Sequence, residues 1–208
     1  MARSAMCSSP SSASTRSSRT SRRNARTATG RSASGAQSEP LRVNFPRATI
    51  SSEALRNNLA VVRRLAPESR VLAAVKANAY GHGLVPSARA LAGVDAFGLA
   101  RLDEALILRN AGLSHPLVLL EGVVCAEDLQ AAGAHEMEIV VHAFDQIQML
   151  EAYRGAHRFV VWLKIDTGMH RLGMAPEDFP DAYHRLARCG AVGSLRLMTH
   201  LAAAEASD

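Results

Sequence analysis

The chain has 208 residues, 48% of them apolar, which is enough for one domain with a substantial core and little more. Its net charge of +5 is unevenly spread: residues 1–40 hold seven arginines against the single acid Glu39, and the remainder carries 17 basic and 18 acidic side chains. A folded part that is nearly neutral argues against binding nucleic acid, and no apolar run reaches the ~18–20 residues of a membrane-spanning helix.

Residues 1–40 contain no Leu, Ile, Val, Phe, Tyr or Trp. Such a stretch cannot bury enough apolar surface to offset its ordering entropy and reads as a disordered Ser/Arg-rich tail. It could be an organellar transit peptide, a basic arm for anionic partners, or a start assigned too early and without a role. The lack of the apolar face that a targeting helix needs favours the last. Cys7, Cys125 and Cys189 are too widely spaced for a metal site or a disulfide framework, and no metal is expected. A reducing cytoplasm fits this usage.

From Leu41 onward, short apolar runs alternate with amphipathic stretches. In chain order the pattern predicts a helix over Ser52–Leu65, a strand over Val71–Val75, a helix over Val85–Ala92 and a strand over Asp95–Ala100. Next come a helix over Leu102–Asn110, a strand over Leu117–Leu120, a helix over Glu127–Ala132 and a strand over Glu138–Val141. The last elements are a helix over Phe144–Tyr153, a strand over Phe159–Ile165, a helix over Pro176–Arg188 and a strand over Ser194–His200. Strands and helices in turn imply βα units on a parallel sheet, with strands such as Val71–Val75 apolar on both faces.

An open doubly wound sheet and a closed barrel both fit. The only glycine-rich turn candidate, Gly81-His82-Gly83, does not match the dinucleotide fingerprint, and this tilts the reading to an α/β chain of the (β/α)8 TIM-barrel type. Six strands are countable where a closed barrel has eight. The expectation is therefore an incomplete barrel over residues 41–208, cut short of its last strands.

Alternation along the second predicted element puts Leu72, Ala74 and Lys76 on one side, and in a barrel that side is the interior. Lys76 then sits at the C-terminal strand end, where barrel active sites lie, and its amine is a candidate nucleophile toward a carbonyl. A lysine snorkelling to water is the alternative. Tyr80 offers a phenolic donor or simply an aromatic lid, and His82, between two glycines, reads as a loop-stabilising residue. In the fifth strand Trp162, Lys164 and Asp166 share a face. A buried lysine needs an anionic partner, and Asp166 could supply it. Thr167-Gly168 forms the turn that follows.

The stretch AVKANAYGHG around Lys76 resembles the pyridoxal-phosphate attachment motif of alanine racemases. Arg47–Ile50 with Glu53–Leu59 is similar to that family's entry strand and first helix, and Asp95–Ala105 to its second strand and helix start. Leu163-Lys164-Ile165-Asp166-Thr167-Gly168-Met169-His170-Arg171-Leu172-Gly173-Met174 resembles a second long motif, and Met198–Ala202 resembles its sixth strand end. Together they span roughly residues 47–205 in the family's order.

The resemblance implies an isomerase that interconverts L- and D-alanine with pyridoxal 5′-phosphate, supplying D-alanine as a peptidoglycan precursor in the cytoplasm. It implies that Lys76 is the Schiff-base lysine and the acid–base group on one face of the substrate. Tyr80 would bind the cofactor phosphate, Arg171 the cofactor's phenolic oxygen or the substrate carboxylate, and His200 would pack near the ring. Lys164 would be carbamylated and orient Arg171. It also implies a homodimer whose opposite-face tyrosine lies in a C-terminal β domain that this sequence does not contain, so the chain by itself is expected to be weakly active or inactive. The alternative is a single-domain pyridoxal-phosphate-binding barrel concerned with cofactor homeostasis. That reading fits the length but not the Asp166–Arg171 motif.

Overall fold

The first helix begins where the sequence offers a cap. Ser51 is extended and its hydroxyl accepts the Ala54 amide at 3.1 Å, so α1 runs Ser52–Leu65. The computed structural model describes residues 46–206. The predicted disordered tail at 1–40 lies outside the described residues. Residues 46–50 carry no regular secondary structure and are exposed, so the expected entry strand at Arg47–Ile50 is not formed: no ladder holds its backbone groups.

Beyond α1 the elements are β1 (Leu72–Ala74), α2 (Lys76–Tyr80), α3 (Leu84–Ala90), β2 (Ala96–Leu99), α4 (Leu102–Asn110) and β3 (Leu117–Leu119). They continue with α5 (Ala126–Ala134), β4 (Glu138–Val141), α6 (Phe144–Ala152), β5 (Phe159–Lys164), α7 (Phe179–Arg188) and β6 (Val192–Met198). Proline moves one helix start from its predicted place. Starting α7 at Phe179 and not at Pro176 keeps Pro180 in the first turn, where a missing N–H forfeits no intrahelical bond. The sixth strand ends two residues earlier than predicted, at Met198, which leaves His200 past the strand in an exposed segment.

All six strands pair parallel in the order β1-β2-β3-β4-β5-β6. A doubly wound sheet reverses its order at a switch point. A monotonic order with a helix before each new strand is instead the path of a βα barrel, which settles the choice that periodicity left open. Among the described residues β1 and β6 are the two edges.

The register divides the side chains cleanly. Phe159, Val161 and Leu163 of β5 are buried in the layer between sheet and helices, with Phe97, Leu99, Leu117 and Leu119 of the neighbouring strands. Leu108, Leu129, Leu150 and Leu186 descend on them from α4, α5, α6 and α7. Each such burial contributes about 1.5–3 kcal/mol, and this layer is what holds the sheet in its curve. The alternate residues Val160, Trp162 and Lys164 face the barrel interior. No helix among the described residues is long and apolar enough to cross a membrane.

Candidate active site

Lys76 is carried by an unusual piece of backbone. Ala77, Asn78, Ala79 and Tyr80 all have positive φ, between 52° and 55°, and the first three have ψ between 43° and 53°. These are the angles of a left-handed α-helix, so α2 is one left-handed turn. A non-glycine residue in that region costs roughly 1–2 kcal/mol, and only Asn among the four tolerates it well. The turn survives because its polar groups are satisfied. The Ala79 amide donates to Val75 O at 2.8 Å and the Gly81 amide to Ala77 O at 3.1 Å. The Asn78 side chain accepts the Leu84 amide at 2.8 Å and thereby ties the turn to the start of α3, and Glu104 Oε1 accepts the Asn78 amide at 3.0 Å. The His82 ring nitrogen Nδ1 lies 2.9 Å from Ala79 O, which is the loop-stabilising position read from the sequence.

β1 ends before Lys76, yet the alternation reading keeps its content: Leu72, Ala74 and Lys76 line one cavity at the C-terminal ends of the strands. That cavity, of about 530 Å³, is also lined by Tyr80, Lys164, Arg171 and His200. All five residues singled out in the sequence therefore meet there. Tyr80 stands at its rim, 62% exposed. Glu121 and Thr199 line it too, and sequence reasoning passed over both. Glu121 sits in a loop with no period or motif to flag it.

Lys164 is the buried member, 7% exposed. Burial pushes its ammonium below the usual lysine pKa, and the nearby Arg171 and Lys76 charges push the same way, with Asp166 opposing weakly. The expected Lys164–Asp166 pair is not made; among the described residues no carboxylate lies within ion-pair distance of Lys164. Asp166 is used otherwise. Its Oδ1 accepts the His170 and Gly168 amides, each at 3.0 Å, and its Oδ2 faces His170 Nδ1 at 3.3 Å. Those backbone donors, His170 first, hold its carboxyl below the ordinary aspartate range.

The same loop delivers Arg171. After the turn at Gly168 the chain returns against β5: the Met174 amide donates to Lys164 O at 2.8 Å and the Asp166 amide to Met174 O at 2.9 Å. Gly173, at φ 144°, permits that approach, because a Cβ there would stand 2.5 Å from the Asp166 nitrogen. Thr199 Oγ1 donates to Ile165 O at 3.0 Å and lies 2.6 Å from Thr167 Oγ1, which fixes the loop to the segment that carries His200.

Composition sharpens the meaning of this cluster. The chain has 22 arginines and only two lysines, Lys76 and Lys164, and both line the one cavity. Arginine serves every other cationic position. Lysine appears only where an amine, which can lose its proton and act as a nucleophile, would differ from a guanidinium. Fold and site together define a βα-barrel protein whose strand-end cavity gathers two amines and a guanidinium.

Comparison with known proteins agrees. A family model described as alanine racemase, N-terminal domain, matches residues 50–208. An alanine racemase of Shewanella baltica (strain OS195) is 52% identical over 165 residues, covering 79% of this chain and 46% of the relative. The crystal structure of the biosynthetic alanine racemase from Pseudomonas aeruginosa superposes with a TM-score of 0.69 at 37% identity, over 73% of this chain and 42% of that one. The alanine racemase from Acinetobacter baumannii gives a TM-score of 0.68 at 34% identity, over 76% and 44%. The chain belongs to the alanine racemase N-terminal domain family, and it spans about half the length of the curated relatives it matches.

Proposed function

We propose that this chain is the barrel portion of an alanine racemase, an isomerase that interconverts L- and D-alanine with pyridoxal 5′-phosphate. In this reading it works as a homodimer in the cytoplasm and supplies D-alanine for peptidoglycan. One observation carries the proposal: the chain's only two lysines and Arg171 converge in a single strand-end cavity, with no carboxylate among the described residues paired to the buried lysine. Such a cavity complements a ligand that brings its own negative charge and a carbonyl, and pyridoxal phosphate brings a phosphate, a phenolic oxygen and an aldehyde.

When bound, that group supplies the carbonyl for the lysine and an aromatic ring that spreads the electrons left at the substrate's α-carbon. The protein's share follows from its own side chains. Lys76, half-buried at the head of the left-handed turn, would hold the group at its carbonyl through its amine with loss of water and, once released from it, would take or return the α-proton on one face. The Tyr80 phenol would donate to the phosphate, which suits its place at the rim. Arg171 would offer paired N–H donors to the phenolic oxygen or the substrate carboxylate. His200, just past β6, would bound the ring's surroundings.

Lys164 has a distinct part. Burial and two neighbouring cations favour its neutral amine, and a neutral amine adds carbon dioxide with loss of one proton. The resulting carbamate is an anion lying where cations converge, able to accept hydrogen bonds from Arg171 and fix its direction.

The test combines two measurements on the purified chain. Pyridoxal phosphate followed by borohydride and peptide mapping is expected to label Lys76, and a coupled oxidase assay follows D-alanine formed from L-alanine by the protein joined to a racemase C-terminal domain. Label elsewhere, or none on folded protein, defeats the reading. Label at Lys76 with no D-alanine from the joined protein would leave a cofactor-binding barrel instead.

A further inference from the structure

Resting on that reading, we infer that Glu104 is a positioning residue for Lys76, acting through the left-handed turn. Glu104 lies in the first turn of α4, outside the cavity. Its carboxylate spans two backbone donors from different parts of the fold. Oε1 accepts the Asn78 amide at 3.0 Å, and Oε2 accepts the Ala100 amide at 3.3 Å.

Each bond meets a need created by chain geometry. The first amides of any helical turn lack a partner inside it, and in α2 the Asn78 amide is one of these. Ala100 follows β2 directly, one residue before the α4 N-cap Arg101, and its amide would otherwise lack this acceptor. Glu104 therefore fastens the strand end and the left-handed turn with one carboxylate. It also joins the C-terminal end of β2 to the segment that begins at Lys76. Ala77, Ala79 and Tyr80 have no intrinsic preference for positive φ, so the turn depends on such outside contacts to stay wound. Asn78 is the hub: its side chain holds α3, its amide holds Glu104, and Lys76 is two residues away. Release of the Asn78 amide lets the turn unwind toward ordinary extended backbone, and this redirects the Lys76 side chain from the cavity.

Glutamine at 104 keeps one acceptor oxygen and loses the second acceptor together with the charge; alanine loses all three. The experiment compares the 208-residue chain with its Glu104→Gln and Glu104→Ala variants by two readouts. The first is amide hydrogen exchange. Exchange at Asn78 is expected to accelerate about tenfold or more in Glu104→Ala, the effect of losing one charge-assisted bond, and less in Glu104→Gln. Exchange at Ile139 and Val161, in central strands, stays unchanged and reports an intact fold. The second readout is the ratio of labelled to unlabelled Lys76 after pyridoxal phosphate and borohydride. The ratio is expected to fall about tenfold in Glu104→Ala and to recover in part in Glu104→Gln.

An unchanged Asn78 exchange rate, or an unchanged ratio with faster exchange, overturns the inference. Should the alanine variant not fold, the glutamine variant decides by the same readouts. If the unaltered chain itself takes no label at Lys76, the functional reading fails, and the exchange data still decide whether Glu104 holds the turn.

Discussion

The two ends of the barrel interior are built on opposite principles. Trp162 and Lys164 are two residues apart on β5 and both point inward, yet their surroundings differ. Toward the N-terminal ends of the strands, Glu138 Oε2 accepts the Trp162 indole N–H at 2.7 Å and an Arg196 guanidinium N–H at 3.0 Å, and the guanidinium lies 4.9 Å from the Trp162 ring centroid. Nearby, Asp95 accepts the Val71 amide at 2.8 Å and pairs with Arg63 at 3.2 Å. Charge and donor are matched there. At the opposite end Lys76, Lys164 and Arg171 are gathered with the buried lysine unmatched. A structure that pairs its charges at one end and leaves like charges together at the other has kept the second end for something it binds.

The largest effect that could break this contrast is at Lys76. Lys76→Ala is expected to abolish borohydride-trapped pyridoxal phosphate while shifting unfolding free energy by no more than about 0.5 kcal/mol, since the side chain is not in the packed layer. A large loss of stability, measured by denaturant titration, would mean that Lys76 is structural. The converse experiment is Glu138→Ala, which strands the Arg196 charge and the indole N–H. It is expected to cost about 1–3 kcal/mol, discounted for the partial exposure of Arg196, and to leave labelling of Lys76 intact.

A smaller effect of opposite sign belongs to Lys164. Lys164→Met replaces an unmatched buried ammonium with an apolar chain of similar shape and is expected to stabilise by about 1 kcal/mol, roughly 2–4 °C in midpoint. The pH dependence has a defined direction. The folded pKa lies below the unfolded value of about 10.5, so the unfolded chain holds more protons between the two. Stability therefore rises with pH across that window, and Lys164→Met flattens the slope. A methionine variant less stable than the parent at pH 7 without added bicarbonate would sink the unmatched-charge reading.

The smallest expected effect concerns Asp166. Its folded pKa is held below the ordinary aspartate value of 3.8, so the loop it fastens is stabilised above 3.8 and released only as pH falls through the lower folded value. The Gly168 and His170 amide resonances should keep their native positions at pH 3.8 and move in more acid solution. Movement centred at 3.8 or above would contradict the assigned hydrogen bonds.

Much of the fold was legible because the signals were local and periodic. The six strands and the flanking helices follow the alternation of apolar runs, and the helix read over Ser52–Leu65 from its apolar spacing is the one observed. The five candidate site residues were legible through motif resemblance, and Lys76 also through strand alternation. Other features were not. The left-handed turn has two alanines and a tyrosine where propensity favours right-handed or extended backbone, so nothing local announces it. Glu104 looks like an ordinary first-turn helix residue until the Asn78 amide, 26 positions away, is brought to it. The pairing of Asp166 with Lys164 fails because it carries strand alternation two residues beyond β5, which ends at Lys164.

By itself the sequence determined which residues are apolar and at what period. Those are properties of single side chains and their near neighbours, and they suffice for an ordered series of βα units. The tertiary structure decided the order in which the strands pair, the hand of the turn behind Lys76 and the meeting of its only two lysines in one cavity. These depend on contacts between residues far apart in the chain, where the cost of strained backbone or a crowded charge is set by partners that no local stretch contains.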